Sequence, residues 1–76
     1  MTPRAPRITA TRVLRALRRD GWIIERQSGS HAQLRHPDKL GQVTVARHAG
    51  IILSPKTLAA ILEQAGLTDQ EFRELM

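Results

Sequence analysis

The sequence predicts an α+β fold of two layers, in which a three-stranded antiparallel sheet carries helices on one face in the order α-β-β-β-α-α. Two observations predict it. Apolar residues recur at helical spacing near both ends of the chain, and three central segments alternate with a period of two. At 76 residues the chain holds one small domain. We expect residues 9 to 76 to form it, after a flexible basic segment of residues 1 to 8.

The first helix is predicted over residues 10 to 20. Thr9 is placed as its N-cap, and Ile8 and Val13 occupy the two positions of a hydrophobic staple. Gly21 is placed as the stop signal. Away from the apolar face, the helix carries Arg12, Arg15, Arg18 and Arg19. The pattern therefore indicates an amphipathic helix with a basic exterior.

Three strands are predicted over residues 22 to 27, 31 to 36 and 42 to 47. A polar turn, residues 28 to 30, separates the first two, and residues 37 to 41 connect the second and third. Strand parity then sorts the side chains into two faces. The face toward the helices holds Ala32, Leu34, Val43 and Val45. The opposite face, which no helix is expected to cover, holds His31, Gln33, Arg35, Gln42 and Thr44.

The second long helix has the clearest start in the sequence, with Ser54 as its cap and Pro55 at the first helical position. Gly66 stops it. A capping box at residues 68 to 71 then predicts a short last helix that carries Phe72 inward.

The formal charge of +5 is distributed unevenly. Residues 1 to 56 hold eleven of the twelve Lys and Arg residues but three of the seven acidic ones. A basic body favours a polyanion such as RNA or DNA as a partner, although a solvated cationic surface has the same composition.

The chain contains no cysteine, which excludes disulfides, thiolate metal sites and cysteine nucleophiles. It has neither a run of about 20 apolar residues nor an apolar signal core. We therefore expect a cytoplasmic protein without a membrane segment. The three histidines match no zinc-ligand pattern, so neither a metal nor another cofactor is expected.

His31 is the first candidate for chemistry. It ends a short polar elbow, residues 27 to 31, and parity places it on the uncovered face near Arg26 and Arg35. Histidine exchanges protons near neutral pH. An exposed acid or base with cationic neighbours is what cleavage of a phosphodiester requires. The alternative is a surface histidine without a catalytic role.

Four further residues have weaker signals. His48 follows the third strand and is a candidate second acid or base, whereas His36 is expected to be a structural or edge residue. Lys56 lies in the first turn of the second long helix, where free N–H groups favour anions, so it is either a phosphate contact or a solvated lysine. Trp22 is expected in the core rather than stacked on a base.

An ordered set of six segments is more specific than any of its parts. The segments are Gly-Trp at 21–22, Arg-Gln-Ser-Gly-Ser-His at 26–31, His-Pro-Asp at 36–38, Val-Thr-Val at 43–45, Leu-Ser-Pro-Lys-Thr-Leu at 53–58 and Ile-Leu-Glu-Gln-Ala-Gly-Leu-Thr at 61–68. Together they resemble the HicA family of toxins from type II toxin–antitoxin modules, essentially over residues 9 to 76.

The resemblance implies a fold similar to the double-stranded RNA-binding domain. It also implies a ribosome-independent mRNA endonuclease that is neutralised by a HicB-type antitoxin. In the family the histidine of the Gly-Ser-His motif is catalytic, and that position is His31 here. We further expect the RNA-binding residues to be Arg26, Ser28, Gly29, Ser30, Arg35 and Lys56, with no metal required.

Two other functions stay open: a non-catalytic RNA-binding module and a DNA-binding helix-turn-helix formed by residues 55 to 65 and 69 to 75. The would-be recognition helix carries Asp69, Glu71 and Glu74 against Arg73 alone, which is a poor mix for a phosphate backbone. An antitoxin that covers the open sheet and one that binds at a distance fit the sequence equally well.

Overall fold

The structure is a computed structural model, which describes residues 8–47 and 52–76. Its elements are α1 (Ala10–Arg19), β1 (Ile23–Ser28), β2 (His31–Arg35), β3 (Val43–Ala46), α2 (Pro55–Ala65) and α3 (Asp69–Leu75). The predicted element order is confirmed, and the predicted bounds of α1 and of the strands agree to within one residue. Residues 1–7 of the predicted flexible segment lie outside the described residues. Ile8 is buried, and its carbonyl accepts from the Leu53 N–H at 2.9 Å.

Side-chain caps begin all three of these helices. The oxygens of Thr9, Ser54 and Thr68 each accept a hydrogen bond from the backbone N–H three residues later, at 3.1 to 3.3 Å. In α3 the Glu71 carboxylate also accepts from the Thr68 N–H at 2.9 Å, which completes the predicted capping box. Gly66 ends α2 in the left-handed region, as predicted.

The sheet is antiparallel with the strand order β1-β2-β3, so β2 is central. A two-residue turn joins β1 to β2, with Gly29 at its first position and a φ of 58°. Glycine there, followed by Ser30 without a positive φ, is typical of a type II′ hairpin turn. Between Ile24 and Arg26 the register of β1 shifts in a β-bulge at Glu25.

The core lies between the sheet and the helices. The four strand residues predicted to face inward are fully buried, and so is Trp22, as expected. The helices add Val13, Leu14 and Leu17 from α1, Ile61, Leu62 and Ala65 from α2, and Phe72 from α3. Helices thus cover one face of the sheet, and the α-β-β-β-α order with one open face is similar to the double-stranded RNA-binding domain.

Within residues 8–47 and 52–76, no helix combines the length and the apolar character that crossing a membrane requires.

Candidate functional site

The open face is the side of the sheet that the helices leave uncovered. Residues directly opposite each other in the register form three rows across it. The rows are Ser28, His31 and Ala46; Arg26, Gln33 and Thr44; and Ile23 with Arg35. The predicted parity of β2 and β3 is therefore confirmed.

His31 lies in the middle of the first row, and its side chain is exposed. Its cross-strand neighbours, Ser28 and Ala46, are both small, so neither shields the imidazole from above. Among the described residues, no side chain or backbone group hydrogen-bonds to the ring of His31. A polar ligand on the open face therefore has access to both ring nitrogens.

The elbow, residues 27 to 31, is held by a residue that the sequence analysis did not single out. The Arg47 N–H donates to the Ser30 carbonyl, and the Arg47 Nη1 donates to the Gln27 Oε1 at 2.9 Å. The only sequence signal for this role is the position of Arg47 at the end of the third predicted strand. Its partner becomes visible once the register between β2 and β3 is known.

Gly29 is the middle residue of the elbow. Its positive φ of 58° is a conformation that other residues rarely adopt, yet a Cβ atom built there would meet nothing within 4 Å. The protein itself therefore leaves open space beside the Gly29 backbone, next to the row that contains His31.

The structure brings one of the two predicted arginines close to His31. Arg26 is exposed and lies in the adjacent row, because the bulge at Glu25 turns it to the open face while Ile24 faces the core. Arg35 ends β2 and lies four residues from His31, roughly 13 Å along the strand.

Arg35 is also engaged. Its Nε lies 3.0 Å from the Glu25 Oε2, and the two side chains are 69% and 50% exposed. An ion pair this exposed contributes about 0–1 kcal/mol, so an incoming phosphate can replace the carboxylate at little cost.

Two further candidates lie elsewhere. Lys56 is exposed in the first turn of α2, in the helical layer, and makes no hydrogen bond or ion pair with any described residue. The structure therefore does not gather it with His31 on the open face. His48 falls outside the described residues.

His36, beyond the other end of β2, has a structural environment, as expected. Its Nδ1 accepts from the Asp38 N–H at 3.0 Å, so its Nε2 carries the proton and donates to the Asp20 carbonyl at 2.6 Å. The rings of His36 and Trp22 also pack edge to face, with their centroids 5.3 Å apart.

No group of three or more His, Cys, Asp or Glu side chains suited to a metal ion occurs within the two described stretches.

Fold and site together define a small basic α+β protein with an accessible histidine on an open sheet. A protein-family model described as the HicA toxin of bacterial toxin-antitoxin matches residues 10–67, which is more than half of the chain. The chain therefore belongs to the HicA toxin family and is the toxin of a toxin–antitoxin system. A search of curated proteins found no match.

Proposed function

We propose that this toxin is a metal-independent endoribonuclease that cleaves mRNA with His31 as general acid or base, and that a HicB-type antitoxin inhibits it. The observation that carries the proposal is the exposed His31 imidazole in the middle of the first row of the open face. Membership in the HicA family supports RNA as the substrate.

The reaction is a transfer of the phosphoryl group to the neighbouring ribose 2′-oxygen. The bond between the 2′-oxygen and phosphorus forms, and the bond between phosphorus and the 5′-oxygen breaks. A base takes the proton of the 2′-OH, and an acid gives a proton to the leaving 5′-oxygen. The products carry a 2′,3′-cyclic phosphate and a 5′-OH.

His31 performs one of these two proton transfers. Neutral imidazole takes the 2′-OH proton, and imidazolium protonates the leaving oxygen. His48 is a candidate for the second transfer, with water as the alternative.

Charge builds up on the phosphoryl oxygens as the reaction proceeds. Arg26 lies on the open face in the row next to that of His31, and its exposed guanidinium supports electrostatic stabilisation of that charge. The backbone of Ser28, Gly29 and Ser30 positions the RNA strand in the open space beside Gly29.

Two cations bind phosphates farther away in this proposal. Arg35 gives up its ion pair with Glu25 and binds a phosphate farther along the RNA strand. Lys56 binds RNA that extends past the β3 edge of the sheet, against which α2 packs.

An RNA cleavage assay with end-labelled substrate tests the mechanism. We expect His31→Ala to reduce the rate by about 10²- to 10⁴-fold, the usual contribution of a positioned acid or base. Thr44→Ala, at another exposed position of the open face, is the matched control and should cleave at the wild-type rate.

Three further arms distinguish the alternatives. A 2′-deoxy substitution at the cleaved nucleotide should abolish cleavage, EDTA should leave the rate unchanged, and a purified HicB-type antitoxin should suppress it. Undiminished cleavage by His31→Ala, or its loss in EDTA, contradicts the mechanism. RNA binding by the wild type without any cleavage would instead favour a non-catalytic RNA-binding module.

A further inference from the structure

Helix α1 has a uniformly cationic outer surface. It carries four arginines and no acidic residue in its ten positions. Its apolar residues are buried, and its exposed positions are Thr11, Arg12, Arg15, Arg18 and Arg19. This surface belongs to the helical layer and is separate from the row that contains His31.

Three of the arginines line one groove. Arg12, Arg15 and Arg19 follow the spacing i, i+3, i+7, which places them on one side of the helix within about 10 Å along its axis. With Ala16, Leu75 and Met76 they form a groove between α1 and the end of α3, which we call the arginine groove.

The fold uses part of this charge. The Arg19 Nη1 donates to the carbonyl oxygens of Leu75 at 2.7 Å and Met76 at 3.0 Å, which ties α3 to α1. The side chains of Arg12 and Arg15 make no hydrogen bond or ion pair with any described residue. Like charges three and four positions apart on a helix repel each other, so this arrangement disfavours the helix unless an anion binds.

We propose that the arginine groove anchors the phosphate backbone of RNA, at a surface separate from the cleavage site. The helices cover the face of the sheet opposite His31, so an RNA strand at the groove cannot lie on the open face at the same point. The anchor therefore holds a different segment of the same RNA. The identity of the polyanion rests on the proposed function.

The composition of the surface favours RNA over an acidic protein. Protein interfaces have an apolar core, whereas every exposed position on α1 is polar and the exposed apolar residue of the groove is Met76 at its α3 end. Guanidinium groups match phosphate oxygens through paired hydrogen bonds.

A salt titration of RNA binding tests the anchor. The full chain carries His31→Ala to prevent cleavage, and the probe is a fluorescent single-stranded RNA followed by anisotropy. We compare Arg12→Gln/Arg15→Gln with the matched pair Arg18→Gln/Arg73→Gln, which also removes two exposed arginines but lies outside the groove.

Loss of two phosphate contacts should lower the slope of log K against log salt by about 1.4 to 1.8 in the groove pair. The control pair should keep the original slope. The anchor would be overturned if the salt slope changed equally in the two pairs or did not change in the groove pair. It would also be overturned if the His31→Ala parent did not bind RNA. A groove pair that bound RNA as tightly as its parent but bound an acidic protein more weakly would overturn the anchor as well.

Cleavage kinetics separate the anchor from the catalytic proposal. In the protein with His31 intact, the groove pair should raise KM and leave kcat unchanged, because the groove holds RNA away from the reacting phosphate. If cleavage proves independent of His31 while the groove pair still changes the salt slope, the catalytic proposal fails and the anchor stands. If cleavage depends on His31 but the groove pair leaves both KM and the salt slope unchanged, the anchor alone fails.

Discussion

The two ends of strand β2 carry the same residue type in opposite environments. His31 begins the strand between two small neighbours, and no described residue hydrogen-bonds to its ring. His36 follows the strand, with one ring nitrogen bonded to the Asp38 N–H and the other to the Asp20 carbonyl. A histidine whose two ring nitrogens are both hydrogen-bonded within the protein holds the chain in position. A histidine whose ring nitrogens face solvent is available for proton transfer.

The largest expected effect is at the His31 end. His31→Ala should raise the barrier to cleavage by about 3–5 kcal/mol, equivalent to the 10²- to 10⁴-fold loss of rate. Because the side chain is exposed, the free energy of unfolding should change by less than about 0.5 kcal/mol. Chemical denaturation measured beside the cleavage assay checks both values. A large loss of stability would show that His31 is structural and would remove the contrast with His36.

His36→Ala should produce the reverse pattern. It leaves the Asp38 N–H and the Asp20 carbonyl without their partner and removes the ring beside Trp22, so we expect a loss of about 2–3 kcal/mol of stability. His36→Gln places an amide donor near the position of Nε2 and should recover part of that loss. Cleavage per folded molecule should remain at the wild-type rate, and a fall comparable to that of His31→Ala contradicts the structural role.

Gly21→Ala should cost about 1–2 kcal/mol of stability, because Gly21 has a φ of +106° and a Cβ atom there would lie 2.7 Å from the His36 Nε2. Gly66→Ala is the matched control, with a positive φ but no atom within 4 Å of the added Cβ. In a double-mutant cycle, His36→Ala should reduce the cost of Gly21→Ala by relieving the close contact. If the stability losses of the two substitutions simply add, the strain caused by Gly21→Ala is confined to the backbone.

The smallest effect is expected in α3, which belongs to neither end of β2. Hydrogen bonds from the Thr68 backbone N–H and hydroxyl lower the pKa of Glu71 from its ordinary value of 4.5. The folded state therefore binds this proton less readily than the unfolded state. The stabilisation is present above pH 4.5 and disappears as the pH falls through the lowered value.

Glu71→Gln isolates this contribution, because an amide oxygen still accepts from Thr68 but does not titrate. The difference in unfolding free energy between wild type and Glu71→Gln should shrink as the pH falls below 4.5. Cleavage at neutral pH should be equal in the two proteins. A difference that stays constant down to pH 3 would contradict the capping role of the carboxylate.

Local chemistry made most of the fold predictable. Thr9, Ser54 and Thr68 cap their helices through hydrogen bonds that span three residues, so the signal lies within a short window of sequence. The burial of β2 and β3 follows the period of two, because neither strand is interrupted. His31 on the open face was predictable for the same reason.

The neighbours of His31 depended on tertiary structure. A bulge adds one residue to β1, so Ile24 and Arg26 face opposite sides although a regular strand would place them on the same side. The bulge also lies where Glu25 pairs with Arg35, four residues from His31 along β2. The hydrogen bond from the Arg47 Nη1 to the Gln27 Oε1 likewise joins the residue after β3 to β1, across the central strand.

By itself, the sequence determined where the helices begin and end, which residues of β2 and β3 are buried, and that His31 stands exposed at the end of a turn. Only the tertiary structure decided which charged and polar side chains surround that histidine. The physical reason is range: caps and strand parity act between residues a few positions apart, whereas side-chain pairing across a sheet depends on register and bulges between distant segments.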